Sequence, residues 1–200
     1  MDGNTLTLRK GESLKLFSDG SSYGSSKKHP KIAGFGVWFE MAGREYKFSG
    51  HLPAPSTSNV GEMLGATLAV CLAGSLGLRS IIFSDSQYTV KSVNDWRKKW
   101  EAQGMPEANR ELILLLYRAV DTFPCTQLRW VKGHADIRGN EEADGLAKLG
   151  RDAENRFAEF TPIDTKEVRQ KVFRTREDVI KFITNILDVE DAKIAMLTNP

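Results

Sequence analysis

Two aspartates stand where short apolar runs stop. Asp19 follows residues 14–18 (LKLFS) and precedes Gly20, and Asp85 follows residues 80–84 (SIIFS) and precedes Ser86 and Gln87. Both runs read as strands ending in a turn, so each carboxylate is expected at a strand end, facing a loop. An acid there is badly placed for a core and well placed for an open site at a sheet edge. Taken singly, each also reads as a turn former or helix N-cap. Glu62 falls in the first turn of a helix starting near Gly61, where the helix dipole favours an acid. Asp144 ends residues 140–144 (NEEAD), a pattern that commonly makes a solvated face, but the following Gly145, Leu146 and Ala147 suggest that it faces the sheet. His134 lies on a glycine-flanked loop, where an imidazole could take part in proton transfer. None of these residues means much alone. As a set they could do acid–base chemistry in one cleft.

The elements that must bring them together are legible from periodicity. Ile32 to Glu40 and Glu45 to Ser49 are rich in β-formers and read as a hairpin across residues 41–44 (MAGR). Met63, Leu64, Ala66, Thr67, Val70 and Cys71 recur at helical spacing. Ser86 opens a helical stretch that Gly104 and Pro106 interrupt, and residues 107–120 form an apolar helix. Thr126 to Val131 make a fifth strand with Leu128 and Trp130 on alternate positions, and Asn140 to Leu149 a further helix. Over residues 12–150 the order is β-β-β-α-β-α-α-β-α. It predicts an α/β fold: a five-stranded mixed sheet, three antiparallel strands and then parallel ones, flanked by helices.

Residues 151–200 differ. They carry 9 Lys/Arg and 10 Asp/Glu, against 19 and 16 in residues 1–150. Asp164 to Glu167 and Thr175 to Asp178 resemble capping boxes. Val168 and Val172 stripe the first predicted helix; Val179, Phe182, Ile183, Ile186 and Leu187 stripe the second. The chain thus divides into a unit over 1–150 and a C-terminal helical extension over 151–200. The extension is expected either to cover an apolar patch on the body or, through residues 165–187, to dock a protein partner or a second copy.

Composition excludes several classes. The 200 residues are 40% hydrophobic and 27% charged, which rules out wholesale disorder, and a net charge of +2 does not announce a nucleic-acid binder. Cys71 and Cys125 form no C-x-x-C pair, the N-terminus shows no secretory pattern and no apolar run could span a membrane. These features together predict an intracellular protein.

Taken in chain order, the acids, the histidine and their neighbours resemble the type 1 ribonuclease H family. The matching stretches are residues 17–21 (FSDGS), 57–62 (TSNVGE), 83–88 (FSDSQY) and 130–134 (WVKGH) running on to 139–144 (GNEEAD). The resemblance covers about residues 12–150 and implies a ribonuclease H-like fold. It implies a catalytic quartet of Asp19, Glu62, Asp85 and Asp144, which also ligate metal, and a loop histidine at His134. The implied reaction is endonucleolytic hydrolysis of the RNA strand of an RNA–DNA hybrid, leaving 5′-phosphate and 3′-hydroxyl ends. Physical chemistry agrees: acids alone would repel an anionic phosphodiester, so cations must lie between them. Oxygen ligands suit two Mg²⁺ ions, with Mn²⁺ as substitute.

The resemblance also implies a substrate-binding set. Gly20, Ser21, Ser22, Asn59 and Gln87 are expected to read the 2′-hydroxyl that separates RNA from DNA, and Thr57 to hold a phosphate of the DNA strand. Residues 91–100 (KSVNDWRKKW) resemble the family's basic handle, with Trp96, Lys98, Lys99 and Trp100 gripping the DNA strand. The alternative for this stretch is a solvated helix face whose tryptophans anchor in the core. After Trp100 the handle is short and carries Glu101, Glu107 and Glu111. Lys27, Lys28, His29 and Lys31 form a second basic cluster. No separate hybrid-binding module is expected before the first strand. Two rival functions fit the same scaffold: a nuclease acting on another nucleic acid, and a catalytically weak hybrid-binding or assembly protein.

Overall fold

The computed structural model describes residues 12–24, 31–153 and 169–198. Strands β1 (Leu14–Tyr23), β2 (Ile32–Met41) and β3 (Arg44–Leu52) form an antiparallel meander. The β2–β3 hairpin turns on Ala42 and Gly43, both at positive φ (52° and 70°), as a two-residue turn between twisted strands requires. Helix α1 (Ser58–Ser75) then leads to β4 (Ser80–Ser84), which lies parallel to β1. Helices α2 (Gln87–Asn94), α3 (Arg97–Gln103) and α4 (Arg110–Thr122) precede β5 (Thr126–Trp130), parallel to β4. Helix α5 (Arg138–Arg151) follows. These elements give the expected five-stranded mixed sheet, in the order β3-β2-β1-β4-β5.

The sheet separates two apolar clusters. On one face α5 sets Ala143 and Leu146 against Phe17 and Trp38. On the other, Leu16, Phe35, Val37 and Ile82 meet α1, and α4 packs over α1 with Leu112, Ile113 and Leu116. Helix α1 lies between sheet and helices, so it is buried nearly all round rather than along one stripe.

Three expectations need correction. First, β1 does not stop at Ser18. It runs on to Tyr23 because β2 supplies backbone partners as far as the pair Tyr23–Ile32. Asp19 is therefore within a strand, and Gly20, Ser21 and Ser22 are strand residues rather than loop. Second, the helical stretch after Ser86 breaks at Asp95 and Trp96, whose N–H groups both donate to the Lys91 carbonyl. Third, the extension is not a helical hairpin. Asp164 to Val168 lie outside the described residues, but Val172 belongs to a strand, β6 (Arg169–Phe173), parallel to β3. The outer edge of β3 would otherwise leave a row of backbone groups without strand partners, and strand addition satisfies them. The sheet thus has six strands.

Helix α6 (Arg176–Thr198) forms as expected. Thr175 and Asp178 make a reciprocal capping box: the Thr175 N–H donates to Asp178 Oδ2 (3.1 Å) and the Asp178 N–H to Thr175 Oγ1 (3.0 Å). The stripe Val179, Ile183 and Leu187 is fully buried in the same core as α1, and Phe182 packs on Phe173. The apolar face considered for docking is therefore covered by the chain itself. Arg118 adds exposed ion pairs to Asp188 (2.6 Å) and Asp191 (2.7 Å), worth at most about 1 kcal/mol each. Among the described residues no helix is long and apolar enough to cross a membrane. Cys71 and Cys125 are free thiols.

This packing predicts that Ile183→Ala lowers unfolding free energy by about 2–5 kcal/mol, measured by urea denaturation. Val189→Ser, at a position 55% exposed, should change it by less than about 0.5 kcal/mol.

Candidate active site

The register of two strands places the first pair of carboxylates. Ser18 of β1 pairs with Ser84 of β4, and the pairing stops there, while β1 continues along β2. Asp19 and Asp85 are the next residues on each chain. They are neighbours at the point where two parallel strands part, and the β4-facing edge of β1 is open beyond them. Glu62 arrives from α1. A Cβ at residue 20 would collide with the Glu62 backbone nitrogen and stand 2.7 Å from its Cγ, so a glycine there lets the first turn of α1 lie on β1. Asp144 comes from α5, whose Ala143 and Ala147 are fully buried on the sheet side.

Asp19 is only 7% exposed. Burial first, then the charge of Asp85, with smaller contributions from Asp144 and Glu62, pushes its carboxyl up to about 8. The Gly20 N–H, donating to Asp19 Oδ1 at 2.6 Å, works the other way. Glu62 is raised by burial and by Asp85, opposed by a hydrogen bond from the Ser86 hydroxyl. The three other acids thus act on Asp19 through space. Lys148, one turn beyond Asp144 on α5, donates to Asp144 Oδ2 at 2.6 Å. A buried carboxyl surrounded by like charges needs a proton or a cation among its oxygens. This all-oxygen, highly anionic donor set could hold Mg²⁺ or Mn²⁺.

His134 is exposed and its backbone is left-handed (φ 50°). A Cβ at Gly133 would stand 2.5 Å from Asp85 Oδ2, so the loop passes close to the carboxylates. Donor atoms of His134, Glu141 and Asp144 lie within 4.8 Å of one another. Sequence reasoning set Glu141 aside as part of a solvated face. Its signal was the three-residue spacing to Asp144, which puts both on one side of a helix.

The remaining expected residues divide. Asn59, Thr57 and Gln87 are exposed, and the Thr57 side chain makes no capping bond to α1. Gly20, Ser21 and Ser22 lie along the open edge of β1. Ser21 Oγ accepts from Arg151 Nη1 (2.9 Å), a residue that no sequence motif marked. Trp96 and Trp100 form a tilted trio with Tyr88, with ring centroids 5.3–6.4 Å apart. They are half-buried, and Trp100 packs against the main core. Lys98 and Lys99 are exposed. Arg97, between them and Trp96, is committed elsewhere: it binds Asp121 through two bonds of 2.7 Å and lies 4.5 Å from the Tyr117 ring centroid, tying α3 to α4. Trp130 was expected to share a face with Leu128, which is 4% exposed, yet it is 48% exposed itself. Lys27, Lys28 and His29 lie outside the described residues.

The family model for RNase H matches residues 11–152. Ribonuclease H of Ruthia magnifica subsp. Calyptogena magnifica is 30% identical over 142 residues, covering 68% of this chain and 94% of that protein. The solution structure of the PFV RNase H domain superposes with a TM-score of 0.58 at 18% identity, covering 70% of this chain and 95% of that domain. LC11-RNase H1, crystallised in complex with an RNA/DNA hybrid, superposes at 0.54 with 16% identity, covering 72% of this chain and 99% of that one. These two structures share the fold, and β6 and α6 lie beyond the stretch that the family model matches. With the sheet order, the aspartates placed where β1 and β4 part, and this match over most of its length, the chain belongs to the RNase H family.

Proposed function

We propose that this protein is an endonuclease that hydrolyses the RNA strand of RNA–DNA hybrids, leaving 5′-phosphate and 3′-hydroxyl ends. The observation that carries the reading is Asp19, buried in a family member with three further carboxylates acting on it. Residues 1–150 would form the catalytic unit and 151–200 its C-terminal extension, of which β6 and α6 pack on that unit, and the protein would work inside the cell. Asp19, Glu62, Asp85 and Asp144 would hold two Mg²⁺ ions, or Mn²⁺ in their place. When bound, the ions neutralise the phosphate and favour in-line attack by water.

The chain's own groups do the rest. The open edge of β1 at Gly20, Ser21 and Ser22, with the amides of Asn59 and Gln87, contacts the sugar edge and selects the 2′-hydroxyl. Arg151 steadies Ser21 by its hydrogen bond. Thr57 takes a phosphate of the DNA strand. Lys98 and Lys99 neutralise further phosphates from α3, on a base stiffened by Trp96 and Trp100. His134, on its exposed loop, moves a proton or assists departure of the product.

Asp19→Asn and Asp85→Asn should abolish hybrid cleavage, assayed on a labelled hybrid, while circular dichroism stays native. Wild-type activity should require Mg²⁺ or Mn²⁺ and vanish in EDTA. Duplex DNA and duplex RNA should resist cleavage under the same conditions.

The raised Asp19 carboxyl also gives stability a pH slope in EDTA. At low pH, below the ordinary value of 3.8, folded and unfolded chains both carry the proton. Between there and about 8 the unfolded chain releases it while the folded carboxyl retains it, so this group makes stability fall as pH rises, by up to about 1.4 kcal/mol per unit. Asp19→Asn should flatten that slope in urea titrations across the window.

Replacing Lys98 and Lys99 together by Ala should raise KM for the hybrid with little change in kcat. It should also reduce the slope of log affinity against log salt by about 0.7–0.9 for each phosphate left without its lysine.

A further inference from the structure

We propose that Arg97 is a positioning residue for the hybrid: without touching nucleic acid itself, it fixes the rotation of α3 so that Lys98 and Lys99 face a phosphate backbone. The inference deepens the hybrid-cleavage reading and rests on it.

Helix α3 has little else to orient it. None of its seven residues is fully buried. A bend bounds it at each end: the break after α2, where the Asp95 and Trp96 N–H groups share the Lys91 carbonyl, and Gly104 at φ 103°. One attachment is the Trp100 ring, 6.4 Å from Tyr88 and 5.3 Å from Trp96 and packed against the main core. Apolar contact is non-directional, so by itself it does not set the roll of the helix.

Arg97 supplies the direction. Its Nη1 and Nη2 donate to Asp121 Oδ1 and Oδ2 of α4, both at 2.7 Å, and its Nε donates to Glu101 Oε1 at 2.8 Å. The guanidinium stands 4.5 Å from the Tyr117 ring centroid, and the Tyr117 hydroxyl donates to the Ser92 carbonyl of α2 at 2.7 Å. One side chain thus joins α3 to α4 and, through Tyr117, to α2. Asp121 is 58% exposed, so the pair adds little to stability, but a two-pronged bond is specific in angle. At about 100° of turn per residue, Arg97 and Trp100 lie about 60° apart on one side of α3, and Lys98 and Lys99 about 100° and 200° round from Arg97. Holding the first two against the body turns the lysines outward, and both are exposed.

Charge divides the roles. The Arg97 cation is met by Asp121 and Glu101 and has no surplus to offer a phosphate. Lys98 and Lys99 carry the charge that an anionic backbone meets. Phosphates line the outside of a duplex, so the contact needs no base to leave its pair.

The test measures binding of a short labelled RNA–DNA hybrid by fluorescence anisotropy in EDTA, where nothing is cut. Wild type, Arg97→Gln and Asp121→Asn are compared with a protein carrying Lys98→Ala and Lys99→Ala, and with Arg97→Gln added to that protein. Thermal melts establish that each folds, and amide hydrogen exchange follows α3. Arg97→Gln and Asp121→Asn should each weaken binding about tenfold, roughly the weight of one phosphate contact over a decade of salt. Both should speed exchange across α3 and leave α1 as it is, and with Mg²⁺ both should raise KM while kcat stays within about twofold of wild type. Asp121→Asn is the sharper variant, because it adds positive charge and frees Arg97. Tighter binding by it would mean that Arg97 reaches phosphate itself, and the proposal would be wrong. Without the two lysines, Arg97→Gln should weaken binding less than about twofold further; a full tenfold loss there would overturn the proposal, as would α3 exchange unchanged in both single variants. Wild type that failed to bind the hybrid would overturn the hybrid reading and the proposal with it, a result distinct from unchanged exchange, which needs no nucleic acid and overturns the proposal alone.

Discussion

Negative charge crowded into a buried place is the constraint that the rest of this structure serves. Asp19 sits within a central strand, nearly shut off from water, with Asp85, Asp144 and Glu62 pressing on it. Burial and like charge both oppose ionisation there, and the Gly20 N–H that donates to Asp19 Oδ1 offsets them only in part. It persists because each acid is carried by an element whose position is decided elsewhere. Asp19 and Asp85 are held by parallel pairing of β1 and β4, Glu62 by the fit of α1 against Gly20, and Asp144 by α5 lying on the opposite face of the sheet. Two apolar clusters hold the acids together, and a proton or a divalent cation is what relieves their repulsion.

The C-terminal extension belongs to the same structural logic. The β3 edge would otherwise end the sheet, and the upper face of α1 would be covered only in part. β6 closes the first and α6 the second, burying Val179, Ile183 and Leu187 beside the residues of α1. Both elements lie beyond the stretch that the family model matches, so this covering is an addition to the shared fold.

The surface around the carboxylates is uneven in its charge. Arg97, which looks in sequence like part of a basic stripe, is drawn onto Asp121 and Tyr117 and serves packing. Lys98 and Lys99 remain outward. Trp96 and Trp100 turn inward to stiffen the short α2–α3 arm, while Trp130, on a strand, stays outside. Residue type alone does not separate a half-buried tryptophan from an exposed one; the neighbouring elements decide which face is covered.

Much of this was legible in the sequence because it depends on short-range physics. Alternating and helical periodicities located the five strands and the main helices, turn residues located the hairpin, and the capping box at Thr175 announced α6. The four acids and His134 could be picked out because they lie in ordered motifs. Other features depended on partners distant along the chain. β1 runs past Asp19 because β2 pairs with it, and Val172 is in a strand because β3 had an edge to offer. Glu141, Lys148 and Arg151 joined the site because α5 lies across the sheet, and the raised Asp19 carboxyl needed both burial and three neighbours. Local sequence determines which conformation a segment prefers and which groups it carries; only the tertiary structure decides what those groups face, because hydrogen-bond partners, desolvation and charge proximity come from residues far away in the chain.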